Sequence, residues 1–192
     1  MHDQSTSLSL LQRARDRNQE AWKQLHYLYG PLVDAWCGSW GLRGAEVDDI
    51  RQEVFQAVAA SLETFRRDRP GDSFRGWLWV IARRKFLDHC RARVKQPEAQ
   101  GGSDAQRQLQ QIAEPELPED SQEDLGGLYH RALALVRSEF EERTWEAFWR
   151  AAVDGQAPGL IAADLGVTAA AVRKAKSRVL LRLRQEVGDL IE

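Results

Sequence analysis

Leu160-Ile-Ala-Ala-Asp-Leu-Gly-Val-Thr-Ala-Ala-Ala-Val-Arg-Lys-Ala-Lys-Ser-Arg178 is the stretch that decides the fold. Ile161, Ala162 and Leu165 share one face of a short helix, and the small Ala162 lets a second helix cross closely. Gly166 accepts a left-handed turn, Val167 fills the gap between the helices, and Thr168 caps a following helix with Val172 inward. This is helix-turn-helix logic. The second helix shows Thr168, Ala169, Ala170, Arg173, Lys174, Lys176, Ser177 and Arg178 to a surface that can enter a major groove. Arg173 is the candidate for base readout, and Lys174, Lys176 and Arg178 are candidates for phosphate contacts. The bland alternative is a helical hairpin with a basic solvated face. Six basic and no acidic residues between Ala171 and Arg184 weigh against it.

Working outward, Pro158 suits the first turn of that short helix. Before it, Trp145, Phe148, Trp149 and Ala152 trace one helix, ended by Gly155. Leu125, Leu128, Tyr129, Ala132, Val136 and Phe140 trace another. Upstream lies an acidic stretch. Residues 96–127 carry a net charge of −7, with Pro97, Pro115, Pro118 and the pair Gly101-Gly102, which is linker composition. The expected organisation is therefore a domain over 1–95, an acidic linker over 96–124 and a second domain over 125–192.

The first half repeats the helical period. Helices are expected over Ser7 to Arg15, after Asn18 through Trp36, over Ala45 to Leu62, and after Ser73. Pro31 falls inside the second. Val, Ile and Thr, the residues strands favour, number only 21 of 192. The fold expected is all-α: two small helical domains joined by a flexible acidic linker, the C-terminal one a helix-turn-helix.

Net charge is only −2, yet residues 66–95 carry +7 and residues 171–192 carry +3. Positive charge gathered in this way can bind nucleic acid in a near-neutral protein. The first basic stretch is Phe74-Arg-Gly-Trp77-Leu-Trp79-Val-Ile-Ala-Arg83-Arg84-Lys85-Phe-Leu-Asp88-His89, where basic residues alternate with aromatics. Such a surface can hold phosphates while an aromatic supports an unstacked base. Trp77 reads as core. Trp79, on another face, reads with Arg83, Arg84 and Lys85 as a nucleic-acid contact.

Other classes find no support. No apolar run approaches the roughly 18 residues of a membrane span. The opening residues lack a secretory pattern, and Cys37 and Cys90 cannot build a disulfide framework, so a cytoplasmic setting is expected. His2, His26, His89 and His130 form no recognised metal or catalytic motif, and no phosphate-binding glycine loop appears. No enzyme activity, cofactor or metal is expected.

A basic aromatic helix, an acidic linker and a C-terminal helix-turn-helix, in that order, resemble the sigma factors of bacterial RNA polymerase, specifically the extracytoplasmic-function group of the sigma-70 family. Val47-Asp48-Asp49-Ile50-Arg51-Gln52-Glu53-Val54-Phe55 resembles the segment that binds the polymerase clamp helices. The resemblance makes Asp48, Asp49, Gln52 and Glu53 the expected core polymerase contacts. The Phe74–Asp88 motif resembles the helix that opens the promoter at the −10 element. The C-terminal motif resembles the domain that reads the −35 element. Expected partners are core RNA polymerase and promoter DNA, with an anti-sigma factor or other regulator as a further class. One departure is Arg84, where the family often has Asn; a guanidinium cannot reproduce an amide's paired donor and acceptor. The competing reading is a stand-alone helix-turn-helix regulator that binds duplex DNA by itself.

Overall fold

The computed structural model describes residues 9–66, 73–95 and 122–191, and these residues form helices and turns with no strand among them. The N-terminal half contains α1 (Leu10–Arg15), α2 (Gln19–Ser39), α3 (Ala45–Ser61), a short 3-10 turn (Leu62–Thr64) and α4 (Phe74–Lys95). The C-terminal half contains α5 (Gln122–Arg137), α6 (Glu142–Ala152), α7 (Pro158–Leu165) and α8 (Ala169–Ile191). The composition argument for an all-α chain holds. The proposed linker lies outside the described residues up to Ser121.

The helix starts follow local chemistry. The Asn18 side chain accepts from the Ala21 N–H at 2.9 Å, and the Ser73 hydroxyl accepts from Gly76 at 3.0 Å. The Ser9 hydroxyl accepts from Gln12 at 3.3 Å and starts α1. Pro31 sits inside α2 without ending it. It removes the N–H that the Tyr27 carbonyl would otherwise accept.

The N-terminal helices close on an apolar centre that includes Leu25, Leu28, Tyr29, Ile50, Val54, Phe74, Leu78 and Phe86. Phe74 meets Tyr29 and Phe65 edge-on, with ring centroids 5.1 and 5.7 Å apart. Arg15 fastens α1 to the end of α3 by donating to the Leu62 and Phe65 carbonyls at 3.4 and 3.0 Å. Cys37 and Cys90 are buried free thiols. Burial pushes the Cys37 thiol up to about 11 and raises that of Cys90. They behave as small apolar residues.

The C-terminal half has two adjoining apolar clusters. One joins Val136, Trp145, Phe148 and Val179; the other joins Ala147, Ile161, Ala162, Val172 and Ala175. Phe140, expected to continue α5, lies just beyond its end and packs on the first of these.

The two halves touch. Leu128 and Ala132 of α5 belong to the N-terminal core, and Leu135 and Leu183 pack against it. The Arg131 Nε donates to the Leu28 carbonyl at 3.0 Å. α8 lies against both α1 and α4.

Candidate nucleic-acid and partner interface

Three surfaces carry the residues singled out from the sequence. The first is the outer face of α3. Gly44, at φ +58°, turns the chain into the helix, and Ile50, Val54, Phe55 and Val58 face inward. That orientation leaves Asp48, Asp49, Gln52 and Glu53 exposed together, within about one and a half turns. They are not equivalent. Asp48 is bridged at 2.5 Å by Arg51, whose other nitrogen reaches Asp34 at 2.6 Å. Glu53 pairs with Lys85 of α4 at 3.3 Å. Beside this face runs a crevice between α2 and α3, lined by Trp22, His26, Arg51, Phe55 and Gln56. The His26 ring stacks on Phe55 with centroids 3.8 Å apart. Burial first, and then Arg51, lower the His26 pKa.

The second surface is α4. Its buried arc is wider than a simple stripe. Phe74, Leu78, Ala82, Phe86 and Cys90 are all buried, and so is Trp79, at 4% exposure. The expectation that Trp79 stands on an outward face is therefore corrected. Helices pack on α4 from more than one side, so a residue about 100° round from Leu78 still points into protein. The Trp79 indole N–H has no acceptor among the described residues, and the Arg83 guanidinium lies 5.8 Å from its ring centre. Trp77, expected in the core, is half-buried against Phe65 and Phe74. Of the basic triplet, Arg84 is exposed, whereas Arg83 and Lys85 are half-buried. Farther along, Arg91 pairs with Asp88 at 3.0 Å, and Arg93 with Glu46 at 2.5 Å.

The third surface is the α7–α8 pair. Pro158 occupies the first turn of α7, and Gly166 closes it at φ +60°, ψ +40°. The Thr168 hydroxyl accepts from the Ala171 N–H at 3.1 Å and so starts α8. Ile161, Ala162, Val172 and Ala175 form the seam between the two helices, with Leu165 and Val167 packed against it. Ala170, Arg173, Lys174, Ser177 and Arg178 are exposed. Two expected members differ. Ala169 packs on the seam, and Lys176 is half-buried, with its ammonium donating to the Ala151 carbonyl at 3.3 Å. Ala151 lies in the last turn of α6, where carbonyls lack helical partners and attract a cation.

Sequence reasoning missed two arginines of α6 that set this pair in place. Arg143 donates to the Leu165 and Gly166 carbonyls at the turn. Arg150 reaches Asp164 at 2.6 Å and Gln156 at 2.8 Å. Their signal was a spacing of seven residues, which puts both on one side of α6. Among the described residues no helix is long and apolar enough to cross a membrane, and no cluster of side chains suits a metal ion.

Comparison with known proteins bears on the first two surfaces. Residues 25–96 match the Sigma-70 region 2 family. The chain is 33% identical over 93 residues to the RNA polymerase sigma factor CnrH of Cupriavidus metallidurans, covering 48% of this chain and 47% of that one. It is 34% identical over 93 residues to the RNA polymerase sigma factor NccH of Alcaligenes xylosoxydans xylosoxydans, covering 48% of each. The matched region thus spans about half the length of these curated relatives.

Proposed function

We propose that this chain, which belongs through its region 2 to the sigma-70 family and its extracytoplasmic-function group, is a sigma factor that binds core RNA polymerase and directs promoter-specific initiation. The observation that carries the reading is the region 2 match over residues 25–96, because it contains both the acidic face of α3 and the whole of the basic helix α4. The α7–α8 pair supports it from outside the matched region. A short helix, a left-handed turn at Gly166 and a capped basic helix suit groove reading.

In this reading Asp49 and Gln52, with Asp48 and Glu53 at the margins, dock against basic residues of the clamp helices. Arg84 leads the contact to DNA at the −10 element, flanked by Arg83 and Lys85. Arg173 reads a base of the −35 element, while Lys174 and Arg178 grip phosphates. The protein acts in the compartment where polymerase and promoter DNA meet, the cytoplasm. It supplies recognition, and the polymerase supplies catalysis. Residues 1–95 and 125–192 serve as the two recognition units, joined by the acidic segment.

The test is capture of core polymerase by the tagged full chain, followed by run-off transcription from a promoter library. Polymerase capture together with new promoter-dependent transcripts is the expected result. Duplex binding without polymerase capture would instead establish a stand-alone regulator.

A further inference from the structure

α6 holds α7 through two arginines. Arg150, near the end of α6, folds the following loop back on itself. Its carbonyl accepts from the Gln156 N–H at 2.9 Å, and its Nε donates to the Gln156 side-chain oxygen at 2.8 Å. Its Nη2 reaches Asp164, in the last turn of α7, at 2.6 Å. One guanidinium thus ties the loop that enters α7 to the end of the same helix. Arg143, two turns earlier on α6, donates to the Leu165 and Gly166 carbonyls, where the chain turns toward α8.

The apolar seam beneath these contacts is built largely of small residues. Ala147, Ala162 and Ala175 are buried in it, and Ala151 and Ala169 pack against it. Methyl groups make shallow ridges, so helices that meet on alanines come close but interlock weakly, and their crossing angle is loosely set. The Arg150 fork supplies what the seam lacks, because a planar guanidinium binds two partners in one fixed geometry. Its side chain is only 19% exposed, and it lies on α6, away from the exposed residues of α8 that face the groove in the reading above.

We propose that Arg150, with Gln156 and Asp164, is a positioning clasp that sets the angle at which α8 meets DNA, and so governs base preference at the −35 element without touching DNA. The proposal deepens the assignment of α8 as the groove-reading helix and rests on it. Base readout and phosphate contact respond differently to a small tilt. A bidentate bond from Arg173 to a base edge holds only within a narrow range of distance and angle. The attraction between a lysine ammonium and a phosphate falls slowly with separation. Loosening the clasp therefore lowers discrimination between sequences and leaves the phosphate grip in place.

The experiment uses the full chain with Arg150→Leu and, separately, Asp164→Ala. The readout is polymerase-dependent transcription from a library with a randomised −35 element, at several salt concentrations. The output of each sequence is divided by the library mean. The folded fraction cancels in such a ratio, so a residue that only stabilises the domain leaves it unchanged. Circular dichroism checks that helix content is kept. Asp164 is exposed in a last helical turn, where an acid opposes the helix dipole, so Asp164→Ala keeps the test valid if Arg150→Leu fails to fold. The clasp predicts that the spread between preferred and disfavoured bases narrows at least about threefold in both variants. Salt dependence is expected to equal that of wild type. The double variant is expected to narrow the spread no further than Arg150→Leu alone, because both changes cut the same link. An equal loss on every sequence overturns the proposal and leaves Arg150 a stabilising residue. A salt dependence flattened by about one ion in Arg150→Leu overturns it by revealing a phosphate contact. If wild type gives no polymerase-dependent transcripts, the sigma-factor reading fails by itself. The same ratios are then read from randomised duplexes retained by the full chain alone, where unchanged ratios in the variants, or no preference in wild type, overturn the clasp.

Discussion

Replacing Arg173 and Lys176 separately by Ala distinguishes two kinds of basic residue that the sequence presents as alike. Arg173 is exposed on the outer side of α8, within its first two turns, the end that enters a groove in this motif. A guanidinium there can bond two acceptors of one guanine, worth about 1–3 kcal/mol of discrimination. At tenfold per roughly 1.4 kcal/mol, Arg173→Ala is expected to cost about 5- to 150-fold at one base position and little elsewhere. Lys176 is turned back toward α6, with its ammonium 3.3 Å from the Ala151 carbonyl. Its loss removes a cation from a helix C-terminus, about 0.3–1 kcal/mol of folding stability. It is expected to leave the salt dependence of DNA binding unchanged, whereas Lys174→Ala is expected to flatten it by about one ion. The assay is transcription from a library with a randomised upstream element, run with each variant at several salt concentrations, alongside urea unfolding. An equal loss on every sequence in Arg173→Ala would show a phosphate contact in place of base readout. A flattened salt dependence in Lys176→Ala, with stability intact, would refute the assignment of Lys176 to Ala151.

Three further outcomes follow from the geometry. Asp49→Lys with Gln52→Lys is expected to weaken core polymerase binding at least about tenfold by reversing charge complementarity, with an unchanged urea midpoint because both residues are exposed; unaltered affinity in a titration would remove α3 from the interface. Because burial and Arg51 lower the His26 pKa, the fold favours the neutral ring. Its contribution is full above the ordinary value of about 6.5 and is lost as pH falls from there through the lowered folded value, so the decline in stability should be shallower in His26→Gln, as measured by urea unfolding across pH. Gly166→Ala forces a side chain into the left-handed region and sets its Cβ 3.4 Å from Arg143 Nη2; a loss of about 1–2 kcal/mol is expected, and an unchanged thermal midpoint would count against the turn geometry.

Which features were legible follows from how local their causes are. The caps at Asn18, Ser73 and Thr168, the proline at the start of α7 and the left-handed Gly166 are set by side chain and backbone within four residues, and each stands where the sequence put it. The inward faces of α3 and α8 follow from a period of about 3.6 residues, which any chain of this pattern carries. The exposed acidic run of α3, Asp48 to Glu53, was legible for the same reason, since it is contiguous in the chain.

Trp79, Lys176 and the outer stripe of α5 belong to the other class. Periodicity marks a helix's apolar side, but the number of neighbours sets how wide that side becomes, and Trp79 is buried because α4 is contacted by several helices. A basic residue's sequence does not say whether a carbonyl in another helix lies within reach, as Ala151 does for Lys176. Leu128 and Ala132 read as one more part of a helical stripe; only the packing shows that they serve the opposite half of the molecule. The sequence by itself determined helices, caps, turn and charge, because those interactions act over a few residues. The tertiary structure alone decided which of the basic and aromatic side chains remain at the surface, because burial depends on residues far away in the chain.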